Sequence, residues 1–99
     1  MCGIFGLILG PESRLETAEA KSVLAGLFRL SESRGKEAAG LAVRRQGQLL
    51  IHKQALSAGR MLATSAYSEF IAGALAGRGA PSGLIAIGHS RLVTNGSQL

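Results

Sequence analysis

The spacing of apolar residues changes several times along the chain and divides it into short elements. Residues 2–9 (CGIFGLIL) are β-prone and apolar on both faces, which is typical of a strand buried on both sides. Gly10-Pro11 ends this run. Apolar residues then recur at helical spacing, at Ala20, Val23, Leu24, Leu27 and Leu30. Ser13 and Glu16 match a capping box for this helix, which we expect to end near Ser33.

In the second half of the chain, apolar spacing and turn residues again predict strands and a helix. Residues 40–53 predict a hairpin, because two β-prone runs flank a turn at Gln46-Gly47. Paired apolar positions predict a second helix, at Ala66/Tyr67, Phe70/Ile71 and Ala74/Leu75. Residues 77–83 (GRGAPSG) have the composition of a loop, and residues 84–90 (LIAIGHS) predict another buried strand. This order of strands and helices places the chain in the α+β class.

Composition narrows the functional classes. The 99 residues fit one small domain, and the chain stops soon after a strand, so we expect a fragment of a larger domain. A single cysteine excludes an internal disulfide and favours a reducing, cytoplasmic location. No apolar run is long enough to span a membrane, and one Cys with two separated His offers no metal-ligand spacing. The net charge is +5, but the basic residues are scattered along the chain and do not alternate with the four aromatic residues. This distribution disfavours nucleic-acid binding.

The only cysteine, Cys2, directly follows the initiator methionine. Removal of Met1 gives this one residue both a thiol and a free α-amino group, which titrates near pH 8 and can act as a general base. A buried, inert cysteine is the alternative. We expect His52 to be a half-exposed histidine of the second hairpin strand, and His89 to have a structural hydrogen-bonding role and not a catalytic one. Arg91 follows an apolar strand. Its guanidinium could bind a carboxylate through two parallel hydrogen bonds, and the alternative is a surface arginine in an ion pair.

Three stretches of the sequence together resemble the class II glutamine amidotransferases, whose glutaminase domain is an N-terminal nucleophile hydrolase. They are MCGIFG at the start, SRGKEAAGLAV at residues 33–43 and IGHSRLVTNG at residues 87–96. The family patterns are M-C-G-I-x-G, R-G-x-D-S-A-G and G-H-x-R-x-A-T-x-G, in the same order and at similar separations. The departures are Glu37 for Asp, Val93 for Ala, and Asn95 for His or Ala. The resemblance covers essentially all of residues 1–99 and is nearer to the glucosamine-6-phosphate synthase and amidophosphoribosyltransferase branches than to asparagine synthases.

The resemblance implies specific roles. Cys2 matches the catalytic nucleophile. The substrate-binding segment comprises Arg91, Leu92, Thr94 and Asn95, with Arg91 on the glutamine α-carboxylate, and Arg34 and Gly35 support the pocket. Asn95-Gly96 aligns with the x-G of the last pattern and not with the oxyanion-hole Asn-Gly pair of the family. That pair and the aspartate for the substrate amine are expected beyond Leu99, in keeping with a chain that has no Asp.

The resemblance further implies a four-layer α/β/β/α sandwich, of which this chain supplies the N-terminal part. Glutamine would be hydrolysed through a thioester on Cys2, and ammonia would pass to an acceptor domain or subunit, without a cofactor. An oligomer is compatible with this arrangement. Two alternatives stay open: an N-terminal cysteine hydrolase acting on another amide, and a basic module without catalytic activity.

Overall fold

The computed structural model describes residues 3–10, 15–76 and 83–92. They form an α+β fold of four strands and three helices, with a 3₁₀ turn at Glu32–Arg34 between the first helix and the second strand. The elements run in the order β1 (Gly3–Leu9), α1 (Thr17–Ser31), β2 (Ala38–Arg45), β3 (Gln48–Gln54), α2 (Ala58–Leu62), α3 (Ser65–Leu75) and β4 (Leu84–Arg91). No helix of these segments has the length and apolarity needed to cross a membrane.

The four strands make one antiparallel sheet in the order β1-β4-β2-β3. The first and last strands of the chain are therefore neighbours, and β4 lies between β1 and β2. The predicted hairpin is confirmed as β2 and β3, joined by a two-residue turn. Gln46 and Gly47 both have positive φ, at 48° and 78°, which gives the turn the twist that a tight hairpin favours.

One face of the sheet packs against the helices and carries the core. Side chains alternate across a strand, so β2 turns Leu41 and Val43 towards the helices, and both are buried. Phe28 of α1 is fully buried and meets the Phe5 ring edge-to-face, with 4.7 Å between ring centroids. The helical layer adds further fully buried side chains, namely Leu24, Met61, Ile71 and Leu75. Burial of apolar surface between these layers is the main stabilisation of the sheet.

The opposite face of the sheet, here called the open face, is apolar and exposed. Its large side chains are Ile4, Ile8, Leu49, Ile51, Ile85 and Ile87, with exposed fractions of 74%, 75%, 62%, 57%, 43% and 53%. The prediction that residues 2–9 and 84–90 form strands buried on both sides is thus wrong for one face of the described chain. Their apolar pattern is that of a sheet between two layers, whereas the described residues supply one layer.

The helices follow the sequence prediction with three differences. α1 begins at Thr17, capped by Glu16, whose backbone N–H donates to Glu19 Oε1 at 3.2 Å. Glu19 therefore closes the capping box, and Ser13 lies outside the described residues. Val23 and Leu30, both placed on the buried stripe, are 40% and 77% exposed. The five-residue α2 was not predicted, because so short a helix leaves no periodicity to detect.

The second predicted helix is confirmed as α3, and the first helix ends within two residues of the expected place. α3 is capped by Thr64, whose hydroxyl accepts a hydrogen bond from the Tyr67 backbone N–H at 3.1 Å. The predicted loop at 77–83 lies outside the described residues apart from Gly83.

Candidate functional site

The sheet register places the residue that follows the predicted nucleophile beside the residue that precedes the predicted carboxylate ligand. Gly3, which follows Cys2 in the chain, pairs with Ser90, which precedes Arg91. Cys2, Thr94 and Asn95 themselves lie outside the described residues. The pairing arises because β1 and β4 are antiparallel neighbours, so the start of one strand lies beside the end of the other.

The Arg34-Gly35 segment meets the same end of the sheet. A Cβ on Gly35 would overlap the carbonyl carbon of Arg91 and lie 2.6 Å from the Arg91 carbonyl oxygen and 2.5 Å from the Leu92 nitrogen. Only hydrogen fits there. Gly35 is needed for space and not for backbone freedom, since its φ of −174° is open to any residue. The Glu37 N–H donates to the Arg91 carbonyl at 3.0 Å and fixes this approach.

β1 also contacts the turn that carries Arg34. A Cβ on Gly3 would lie 3.0 Å from Arg34 Cβ and 3.1 Å from Ser31 Cβ, so a larger residue would press on both. All three stretches that carry the family resemblance therefore touch one another at the end of the sheet where β1 begins and β4 ends.

A buried pair of hydroxyl groups holds α1 to β4 one residue before Arg91. Ser31 Oγ donates to the Phe28 carbonyl at 3.0 Å and lies 2.7 Å from Ser90 Oγ, so the Ser90 hydroxyl donates to Ser31. Ser90 is fully buried. This pair was not predicted from the sequence. A signal existed for Ser31, which continues the buried stripe of Leu24 and Leu27 at helical spacing.

Two cavities adjoin this end of the sheet. One, of about 430 Å³, lies between β1 and α1 and is lined by Gly3, Ile4, Phe5, Leu27, Leu30, Ser31 and Arg34. The other, here called the basic cavity, has a volume of about 330 Å³ and is lined by Ala38, Ala39, Gly40, Lys53, Gln54, Ala55, His89 and Arg91. None of the described residues that line the basic cavity is acidic, so its chemistry suits an anionic group.

The histidines differ in role. His52 is half-buried, stacks on Phe70 with 5.1 Å between ring centroids, and places Nε2 2.9 Å from Gln54 Oε1. The half-exposed position in the second hairpin strand that was predicted for His52 is thus confirmed. His89 lines the basic cavity, and the structural hydrogen bond expected of it is not formed within the described residues. The described residues include no group of three or more His, Cys, Asp or Glu that could hold a metal ion.

The comparisons with known proteins give no match. No protein-family model matches the chain, and neither the curated proteins nor the solved structures contain a significant match to it. The chemistry of the site has to be inferred from its residues.

Proposed function

We propose that this chain belongs to the glutaminase half of a class II glutamine amidotransferase. The observation that carries the proposal is the meeting of three separate stretches at one end of the sheet. Gly3 pairs with Ser90, and Gly35 packs on the Arg91 backbone. A chance resemblance in three short motifs has no reason to bring them into contact.

The proposed reaction begins at Cys2. Its free α-amino group accepts the thiol proton, and the sulfur attacks the side-chain amide carbon of glutamine. The protonated α-amino group then gives this proton to the amide nitrogen. The tetrahedral intermediate collapses to a γ-glutamyl thioester, and the nitrogen leaves as ammonia. Water then attacks the thioester, releasing glutamate and restoring the thiol. Arg91 holds the α-carboxylate of glutamine, and ammonia passes to an acceptor domain or subunit.

The substrate assignment draws on the basic cavity. A cavity lined by Arg91 and two other basic side chains favours an amide that carries a carboxylate over a neutral amide. The charge disfavours a neutral amide, whereas glutamate release is what separates glutamine from another amide that carries an acidic group. A lone thiol stays reduced most readily in a reducing compartment, so the proposal includes a cytoplasmic location.

The proposed architecture is the four-layer α/β/β/α sandwich. The open face supports it, because six large apolar side chains on one face of a sheet are typical of a surface that packs on a second sheet. In this arrangement the helices form one outer layer and the four-stranded sheet one of the two inner layers.

The test is glutamate release from glutamine by the full-length protein. Intact mass should show a chain that starts at Cys2, and both Cys2→Ala and an added N-terminal residue should abolish turnover. Arg91→Ala should weaken glutamine use by about 2–5 kcal/mol, the range for breaking a charged pair removed from water. Full turnover in the N-terminally extended protein, or in Cys2→Ala, would contradict the proposal. Release of an acid other than glutamate would favour the rival hydrolase.

A further inference from the structure

The basic cavity has a construction that the family resemblance does not account for. Its floor is β2, which presents Ala38 and Gly40 between two strands with cationic side chains. Gly40 pairs with His89 on one side and with Lys53 on the other, while Ala38 pairs with Arg91. Side chains two apart on a strand share a face, so His89 and Arg91 project from the same side of β4.

Lys53 leans across this floor. A Cβ on Gly40 would lie 2.9 Å from Lys53 Cγ, which is closer than cross-strand partners normally stand. The stem of Lys53 thus occupies the space that a side chain at position 40 would take, and it leads towards β4. Because adjacent strands are about 4.8 Å apart, β3 and β4 lie about 10 Å apart across β2, within the combined reach of a lysine and an arginine.

The positive charge is not neutralised inside the described chain. The side chains of Lys53, His89 and Arg91 form no hydrogen bond or ion pair with the described residues. Like charges gathered around one cavity repel each other, and an anion bound between them removes that cost.

From this geometry we infer that Lys53 is a second substrate-binding residue, which holds the α-carboxylate of the amino-acid substrate together with Arg91. The inference rests on the proposed function and adds a specificity-determining residue to it. Arg91 offers two parallel N–H groups to one edge of the carboxylate, and Lys53 adds a point charge from the opposite strand. Gly40 is the residue that leaves room for the carboxylate and the lysine stem.

A lysine on an edge strand has a second common use, which is to discourage pairing with other chains. β3 is an edge strand of this sheet. That use leaves substrate affinity unchanged, so kinetics separate the two roles.

The experiment compares L-glutamine with L-glutaminamide, which lacks the α-carboxylate, in the full-length protein. Lys53→Met should raise the KM for glutamine about tenfold, with little change in kcat and no change for the α-amide. Lys53→Arg should keep most of the affinity, because it keeps the charge. Lys21→Met, at an exposed lysine of α1, is the matched control. A glutamine KM in Lys53→Met equal to that of the control, or an equal loss for both substrates, would overturn the inference.

A second measurement keeps this inference separate from the proposed function. If the wild-type protein releases no glutamate from glutamine, calorimetric titration with L-glutamate tests the cavity alone. Binding that Lys53→Met weakens and Lys53→Arg restores would support the carboxylate site without the hydrolysis. Absence of binding, or binding that is equal in Lys53→Met and wild type, would refute it.

Discussion

Two glycines make room for other groups at positions where any side chain would collide. Gly35 lies against the Arg91–Leu92 peptide, and Gly88 lies under the ring of Phe5, where a Cβ would overlap the ring carbons. The first adjoins the candidate site and the second the core. Single hydrogen atoms at these positions thus set how closely a turn and a ring approach β4.

We expect Gly35→Ala to disrupt the candidate site. The added methyl group would collide with backbone atoms of Arg91 and Leu92, which cannot move without shifting β4. Overpacking of this kind costs about 1–3 kcal/mol of unfolding free energy, and displacement of Arg91 should also lower the proposed glutaminase activity. Urea denaturation and glutamate release measure the two effects.

Gly26→Ala is the control for this substitution. Gly26 lies inside α1, and nothing lies within 4 Å of the place where its Cβ would be. Alanine there should increase the unfolding free energy by about 1 kcal/mol, since glycine disfavours helix. A Gly35→Ala protein as stable and active as wild type would show that the close approach does not constrain the site.

At the scale of elements, Tyr67 joins α3 to its neighbours. Its ring centroid lies 6.1 Å from that of Phe28 in α1 and 6.1 Å from that of His52 in β3. The ring is buried and its hydroxyl has no hydrogen-bond partner among the described residues. Burial disfavours the ionised form and raises the pKa of Tyr67 from 10.0 to about 12.

This pKa shift makes stability fall at alkaline pH. Unfolded tyrosine ionises near pH 10 and folded Tyr67 near pH 12, so the contribution is fully present below pH 10 and is lost as pH rises to 12. The loss amounts to about 2–3 kcal/mol. Tyr67→Phe should remove this pH dependence, and at neutral pH it should be neutral or stabilising, because it removes a buried hydroxyl without a partner.

Denaturation of both proteins between pH 8 and pH 12 provides the measurement, and titrations common to both cancel in the difference. Tyr67 is the only tyrosine of the chain, so the absorbance of tyrosinate reports its ionisation directly. A Tyr67 that ionises near pH 10 in the folded protein would contradict the expected burial.

The helices and strands were largely predictable from the sequence, but the pairing of strands distant in the chain was not. The hairpin and α3 follow from local signals, namely the Gln46-Gly47 turn and the paired apolar positions. The pairing of β1 with β4 depends on contacts between the two ends of the chain, which no local pattern specifies. Arg91, Arg34 and Gly35 were identifiable from motifs. Lys53 was not, because only the register across Gly40 brings it to the cavity.

At the scale of the whole molecule, the open face is the dominant feature. It exposes six large apolar side chains on one surface, a pattern typical of an interface and not of a free surface. Ile51 and Ile87 flank Ala42 from the two neighbouring strands, so they lie near the middle of the open face.

We expect residues 1–99 alone to associate through the open face. The double substitution Ile51→Lys with Ile87→Lys should make them more monomeric, because two charges would have to be buried in the contact. Sedimentation velocity measures the change. Leu30→Lys is the control, since Leu30 is a still more exposed apolar residue that lies on α1 and not on the open face. Association that is equal in the double variant and wild type would show that another surface is responsible.

The sheet order also has a consequence for synthesis on the ribosome. β1 is made first, yet its described partner is β4, which is made last among these elements. At about 5–20 residues per second, the intervening chain takes on the order of 10 s to emerge. During that interval the nascent β1 lacks its described partner strand, and the start of the chain is open to an aminopeptidase. Trimming of Met1, which the proposed nucleophile requires, would therefore have this interval in which to take place before the sheet is complete.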